Sequence, residues 1–446
     1  MRIIMEKNEQ LQQEKREARR KRRKRNQIIA YTTSVALILI LAVGIVLGVS
    51  KISSIASQKR QEQQEQQDKV EELLGTEESI EVQEPTRETE PETPELTQQQ
   101  KLDEIVNAGI EVMPLEDKVA GLFIVTPEAI TGVSTAVKAG EGTQKALSQY
   151  AVGGIVYFKK NMQSQSQLKE MIENTILYSK YPLFIAVEEE GGSVSRLAGA
   201  GLVEATDSPL VIAQSGNSEN AYLAGTTIGT YLTDYGFNLN LAPVADYNAV
   251  ESSVAADRAY GSDPQTAVGY VTEMIRGLKE QNISACLKHF PGIGSVTKDP
   301  HDGLVSTDRT AEEFRTQDFA VFQAGIEAGA DMIMISNISA PELSRDELPC
   351  SFSEVVVTDI LRGELGFDGV IITDALDMAA ISEYYDSGEA AVRALRAGCD
   401  MILMPEDFED AYNDVLQAVK DGSVSEERIN DSLRRIYRIK YANKLK

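Results

Sequence analysis

The hydrophobic pattern divides the chain into unequal parts. Ile28–Val49 is an unbroken run of 22 residues without a charge. As a helix it would be about 33 Å long, enough to cross a bilayer core of about 30 Å. From Leu102 onward, apolar residues come instead in short clusters: Gly121–Val125, Gly154–Phe158, Leu183–Glu188, Asn238–Ala242, Ala285–His289, Asp331–Ser336, Gly369–Asp374 and Asp400–Met404. Each has the length of a strand, and each is followed by a longer segment of helical character. Asp263-Pro264 opens one such helix, continued by Val268, Val271, Met274, Ile275 and Leu278; Glu312–Ala328 and Glu426–Lys440 read the same way. Continuous apolar runs suit strands covered on both faces, and hence a parallel sheet. Eight such units predict an α/β fold of the (β/α)8, TIM-like barrel class over residues 102–446. Gly329 and Gly398 close helices just ahead of two of the strands. An open, doubly wound sheet is the alternative, but it calls for a nucleotide-binding fingerprint at an early strand–helix turn, and neither GxGxxG nor GxxxxGK[ST] is present.

Charge gives the apolar run its orientation. Residues 1–27 form a basic arm with eleven Lys or Arg against four Glu. Lys and Arg beside a span stay on the cytoplasmic side. The expectation is therefore a single-pass protein of the cell membrane, with residues 1–27 in the cytoplasm, 28–49 as a transmembrane signal-anchor and the bulk of the chain outside. A cleaved signal peptide is the alternative, with a shorter apolar region and a small-residue cleavage site. Residues 50–101 read as a flexible extracellular tether. Gln58–Lys101 is rich in Gln, Glu, Thr and Pro without an aromatic residue, too polar to offset the entropy of ordering.

The whole chain carries a net charge of −25. Without the +7 of the arm, −32 remains outside, which excludes DNA, RNA and anionic lipid as partners of that part. Three cysteines cannot all pair within one chain. No Cys/His cluster has zinc spacing and no acidic run resembles an EF-hand.

In a barrel of this class the active site gathers at the C-terminal ends of the strands, and here those ends are polar. The third apolar run ends in Glu188-Glu189-Glu190-Gly191-Gly192, with Arg196 a little further on. The fourth leads through Asp246 to Asp257-Arg258, the fifth ends in Lys288-His289, and the seventh ends in Asp374. Burying such groups is costly unless they are paired or used. Asp374 is the only charge in its apolar run; it could act as a nucleophile or cap the helix that follows, in which Asp377 would be a first-turn acid. The chain's two histidines, His289 and His301, lie twelve positions apart. His301 follows Asp299 by two, and a carboxylate beside imidazole fixes its tautomer and raises its basicity; Asp302 could serve instead. The loop from Phe290 to about Thr310 is long for its place, and Gly292, Gly294 and Gly303 would let it move. A carboxylate nucleophile facing a general acid/base is the arrangement of a retaining glycosidase. The surrounding Arg, Lys and His would donate hydrogen bonds to sugar hydroxyls and an acyl group. No GxSxG elbow is present, which counts against an esterase.

Four motifs together, Glu190-Gly191-Gly192, Asp257-Arg258-Ala259-Tyr260-Gly261, Lys288–Gly294 with Asp299-Pro300-His301, and Thr373-Asp374-Ala375-Leu376-Asp377-Met378, resemble glycoside hydrolase family 3 in its β-N-acetylhexosaminidase branch. The resemblance covers about Leu102 to the C-terminus. It implies a single barrel that holds the complete site, with Asp374 as nucleophile, His301 as acid/base and Asp299 as its partner. It also implies that Arg196, Arg258, Lys288 and His289 hold the terminal sugar, and that Glu188 stands where the family has an Asp gripping sugar hydroxyls. The implied reaction is retaining hydrolysis of terminal β-linked N-acetylglucosamine, for example from peptidoglycan fragments, with no metal or organic cofactor. Besides Glu188, the chain departs from the family at Ile293, where a His is usual, and at Ser193, where an Arg is frequent. Two other functions stay open: a glycan- or cell-wall-binding protein of the same fold with weakened catalysis, and a β-glycosidase for a different sugar.

Overall fold

The computed structural model describes residues 97–442. The expected basic arm, the membrane-spanning segment 28–49 and nearly all of the tether lie outside the described residues. Among the described residues, no helix is long and apolar enough to cross a membrane. The first helix, Gln98–Glu111, begins inside the segment read as tether. Thr97 and Gln100 form a capping box at its start, and Leu102, Val106 and Ile110 are buried against the C-terminal helix Glu426–Ala442.

All eight apolar runs form strands: β1 (Phe123–Val125), β2 (Gly154–Val156), β3 (Phe184–Val187), β4 (Leu239–Asn240), β5 (Ser284–Phe290), β6 (Met332–Ile335), β7 (Val370–Thr373) and β8 (Ile402–Leu403). They make one parallel sheet in the order β8-β1-β2-β3-β4-β5-β6-β7. Its two ends approach through the Ile372–Met401 bridge, with Thr373 N donating to Met401 O at 3.1 Å. The result is a parallel, barrel-like α/β fold. Its strands are buried throughout, as their unalternating sequences require. Most strands are shorter than the runs that predicted them, whereas β5 is longer and keeps Lys288 and His289 within it. Glu188 and Asp374 lie just past β3 and β7.

The helices follow the predicted faces. In Pro264–Glu280, Asp263 caps the N-terminus through Gln265 N and Thr266 N, and Ala267, Tyr270, Val271, Met274, Ile275 and Leu278 are buried. The helix expected over 312–328 contains a π-turn at Phe314–Asp318. Gly329 and Gly398 adopt positive φ of 85° and 119° just ahead of β6 and β8, as read. At the opposite end of the sheet from the strand C-termini, the fully buried Asp400 accepts from Ile371 N at 2.9 Å, Ser432 Oγ at 2.8 Å and Arg435 at 3.2 Å, and also pairs with Arg362. This carboxylate ties the closing strands to the last helix. All three cysteines are free and buried.

One buried charge works against the fold. The Lys440 amine has no hydrogen-bond partner among the described residues, lies 4.8 Å from the Phe184 ring centroid and 4.9 Å from that of Tyr437, and is pulled down to about 7 by burial. A lysine with a folded pKa below its unfolded one destabilises the fold progressively as pH falls toward the folded value. Lys440→Met is therefore expected to raise the melting temperature by several degrees at pH 6 and by clearly less at pH 9. A gain independent of pH, or a loss, would show that the amine has a partner.

Candidate active site

Two ion networks stand at the C-terminal ends of β3–β5. Beyond β3 the chain folds into a small hairpin, Glu189–Gly191 against Val194–Ser195. Gly191 and Gly192 turn it at φ of 94° and 58°, and a methyl on Gly192 would come within 2.4 Å of Ser208 Cβ. Side chains alternate along this extended segment, and that separates the three glutamates into different roles. Glu189 points into the fold, accepting from Leu197 N at 2.9 Å and Ala198 N at 3.3 Å, the first turn of the helix Arg196–Gly199. Glu188 and Glu190 point the other way. Lys288 Nζ, fully buried at the end of β5, lies 2.8 Å from Glu188 and 2.6 Å from Glu190. Arg258 closes a two-pronged pair on Glu190, with both contacts at 2.8 Å, and Arg196 pairs with the other oxygen of Glu188.

Burial alone would push both carboxylates up. Instead Lys288 with Arg196 holds Glu188, and Lys288 with Arg258 holds Glu190, below the usual carboxylate range. The Lys288 ammonium, disfavoured by burial, is held up by the same two partners. A buried ion cluster of this kind adds little net stability, because desolvation cancels most of the Coulomb gain. What it supplies is a rigid set of charges at the ends of β3 and β5.

The second network orients His289. Asp246 Oδ2 receives His289 N at 3.1 Å and lies 2.8 Å from its Nδ1. Asp246 Oδ1 receives Ile293 N at 2.8 Å. The imidazole is thus fixed through Nδ1 and is only 8% exposed. The peptide bonds Ala242–Pro243, Lys288–His289 and Phe290–Pro291, which bring these groups round, are cis.

The loop after β5 carries the other histidine. His301 Nδ1 lies 2.7 Å from Asp299 Oδ1, which also accepts His301 N at 2.9 Å. Asp299, not Asp302, is therefore the partner. Its carboxyl would be raised by burial but is lowered by the His301 amide and ring, and Arg258 is close enough to add to the lowering. The loop is less free than its glycines led us to expect. Gly294 is pressed on the Tyr247 carbonyl, where a methyl would come within 1.7 Å, and one on Gly292 would meet Asp318 Oδ1 at 2.4 Å. Both glycines serve close approach; only Gly303, with open space around it and φ of 146°, fits the mobile reading. Residues 297–299, 301 and 302 are exposed, so the loop is an anchored arm with an open tip.

Asp374 is half-buried just past β7. Its Oδ1 accepts from Ala375 N at 2.7 Å. It caps no helix: the next one, Ala379–Ser382, starts only after the turn 375–378. Asp377 likewise precedes that helix and is not its first-turn acid. The tip of the β5 loop, as the short helix Pro300–Asp302, packs on Ala379–Ser382. Asp377 senses both sides of this junction: burial and the charge of Asp374 raise it to about 6, while His301 pulls the other way. Burial pushes the Cys286 thiol behind them up to about 12, with Lys288 pulling it down and Asp374 adding to the rise. The loop tip carrying His301 thus packs beside the segment that follows Asp374, on the side of the sheet where β5 ends in the Lys288 cluster.

All the residues singled out by sequence are thus gathered at one end of the sheet. Asp246 and Glu190 join them as supports for His289, Lys288 and Arg258. Asp246 was among the polar residues that follow the fourth run, but its pairing with His289 joins residues 43 positions apart, and the partners of Glu190 are just as remote in sequence.

A family model described as Glycosyl hydrolase family 3 N terminal domain matches residues 114–439. The chain is 34% identical over 282 residues to a β-hexosaminidase of Stenotrophomonas maltophilia K279a, covering 60% of this chain and 81% of the relative. A solved family 3 β-N-acetylglucosaminidase from Paenibacillus sp. FPU-7 aligns with TM-score 0.69 and 32% identity over 75% of this chain and 63% of that one. A β-N-acetylhexosaminidase of Beutenbergia cavernae aligns with TM-score 0.64 and 28% identity over 73% of this chain and 97% of its own.

Proposed function

The chain belongs to glycosyl hydrolase family 3, and on that premise we propose that it is a β-N-acetylhexosaminidase that removes terminal β-linked N-acetylglucosamine with retention of configuration. The relatives' names support the sugar, and the packing of the His301 loop tip on the helix that follows Asp374 supports the chemistry. That juxtaposition carries the reading. A nucleophile and an acid/base on opposite sides of one glycosidic bond are what double displacement requires.

In this reading Asp374 attacks the anomeric carbon with the oxygen not held by Ala375 N. His301, protonated on Nε2 while Nδ1–H points to Asp299, gives its proton to the departing glycosidic oxygen. The ionised Asp299 keeps the imidazole in that tautomer and stabilises its charge. In the second half, the neutral Nε2 takes a proton from water, which releases the sugar from Asp374. Arg196, Arg258, Lys288 and His289 offer donors to the sugar's hydroxyl and acetamido oxygens. Glu188 accepts from hydroxyls with a side chain one methylene longer than Asp, so it is the place to look for an altered sugar preference. Peptidoglycan fragments are the substrate that fits a barrel held outside the cell by residues 28–49; the charge pattern of 1–49 supports that location.

The test is a panel of aryl β-glycosides differing only in sugar, with the product anomer followed by NMR. The N-acetylglucosaminide is expected to turn over fastest and to release the β anomer first. Faster turnover of the plain glucoside, or first release of the α anomer, would overturn the proposal.

A further inference from the structure

The loop carrying His301 leaves the sheet at Phe290 and returns near Thr310, and both limbs meet at one buried knot. On the outgoing limb, Gly292 lies against Asp318 Oδ1. On the return limb, Arg309 Nε donates to Asp318 Oδ2 at 2.7 Å, and its NH2 donates to Gln317 Oε1 at 2.7 Å and to the Tyr247 hydroxyl. Tyr247 completes the ring by donating to Gln317 Oε1 at 2.6 Å. Higher up, Ser295 Oγ and Thr307 Oγ1 join the limbs at 2.9 Å. The Arg309 and Asp318 side chains are only 8% and 3% exposed. Tyr247 directly follows Asp246, the residue that holds His289.

We propose that Arg309 and Asp318 are positioning residues for leaving-group protonation: they bind the two limbs into one base, and so set where the loop tip places His301. This rests on the acid/base role proposed above. The physical reason is leverage. From Val296 the tip runs out to His301 and back, with exposed residues on either side, so its placement depends on where the limbs are fixed. The Arg309 fork satisfies Asp318 and Gln317 together, which a lysine point charge cannot do.

The test measures kcat/KM over a series of aryl N-acetylglucosaminides of rising leaving-group pKa for wild type, Asp318→Asn, Arg309→Lys and His301→Ala, with melting temperatures recorded alongside. Misplacement by about 1 Å costs roughly a hundredfold in a step that needs the geometry. Asp318→Asn and Arg309→Lys are expected to lose about 10- to 100-fold on the poorest leaving group and less than about threefold on 2,4-dinitrophenol. A loss equal across the series, or none in a variant that melts like wild type, would overturn the proposal. His301→Ala separates the two readings. A graded loss there with a flat response in the knot variants sinks the knot alone, whereas a flat loss in His301→Ala sinks the acid role on which it rests.

Discussion

Asp374→Ala is expected to lower kcat on an aryl β-N-acetylglucosaminide by about 10⁴-fold or more, the scale seen when a covalent nucleophile is removed. The fold should be nearly unaffected. The side chain is half-buried, and its hydrogen bond to Ala375 N is worth about 1 kcal/mol. The strand beneath it is held by its own pairing: Ile335 faces Thr373 across β6 and β7, and Asp374 N donates to Ile335 O at 2.8 Å. A small external nucleophile adds a positive arm. Azide can occupy the space left by the carboxylate and attack from the same face, so the variant should regain activity with azide and release the α-glycosyl azide. Near-normal turnover without azide would remove Asp374 from the reaction.

The second large effect depends on the substrate. His301→Ala should reduce kcat/KM on a natural glycan by about 10²- to 10⁴-fold, the usual contribution of general acid catalysis, because an alkoxide leaves poorly without a proton. A dinitrophenyl glycoside needs no such proton, so its kcat/KM should be nearly preserved. Its kcat should still fall, since the second half-reaction needs the same imidazole as base, and a burst of dinitrophenol ahead of a slow steady rate is expected. Destabilisation should be small: the His301 side chain is 68% exposed and that of Asp299 49%, and exposed substitutions move stability little. Equal losses in kcat/KM on both substrates would point to a binding role for the loop.

What could be read from the sequence follows from locality. The strands were legible because each is buried on both faces, which turns a parallel strand into an unbroken apolar run such as Val370–Ile372. The polar strand ends were legible for the complementary reason, since Asp374 interrupts apolar sequence just past the end of β7 and Lys288 does so two residues before the end of β5. Partnerships across the sheet were not. Glu189 and Glu190 are neighbours on an extended segment and so point to opposite faces, yet the partners each finds there, a helix start for one and Arg258 with Lys288 for the other, lie far off in sequence. Glycine itself is ambiguous in sequence. The same residue type supplies freedom at Gly303 and close contact at Gly294, and the Tyr247 carbonyl that makes the difference is 47 positions away in the chain. Asp377 was misread for a related reason: acid-rich first turns are common, but here the chain spends the residues 375–378 on a turn before its helix begins.

The central claim is that Asp374 carries the sugar between two half-reactions. A 5-fluoro-N-acetylglucosaminyl fluoride tests it most directly, since its fluoride leaves readily and the ring fluorine slows release. After brief incubation, the protein is digested and mapped by mass spectrometry. The account predicts one glycosyl unit per chain on the peptide containing Asp374, and none in Asp374→Ala. A glycosyl unit on any other residue, or turnover without a covalent species, would contradict it.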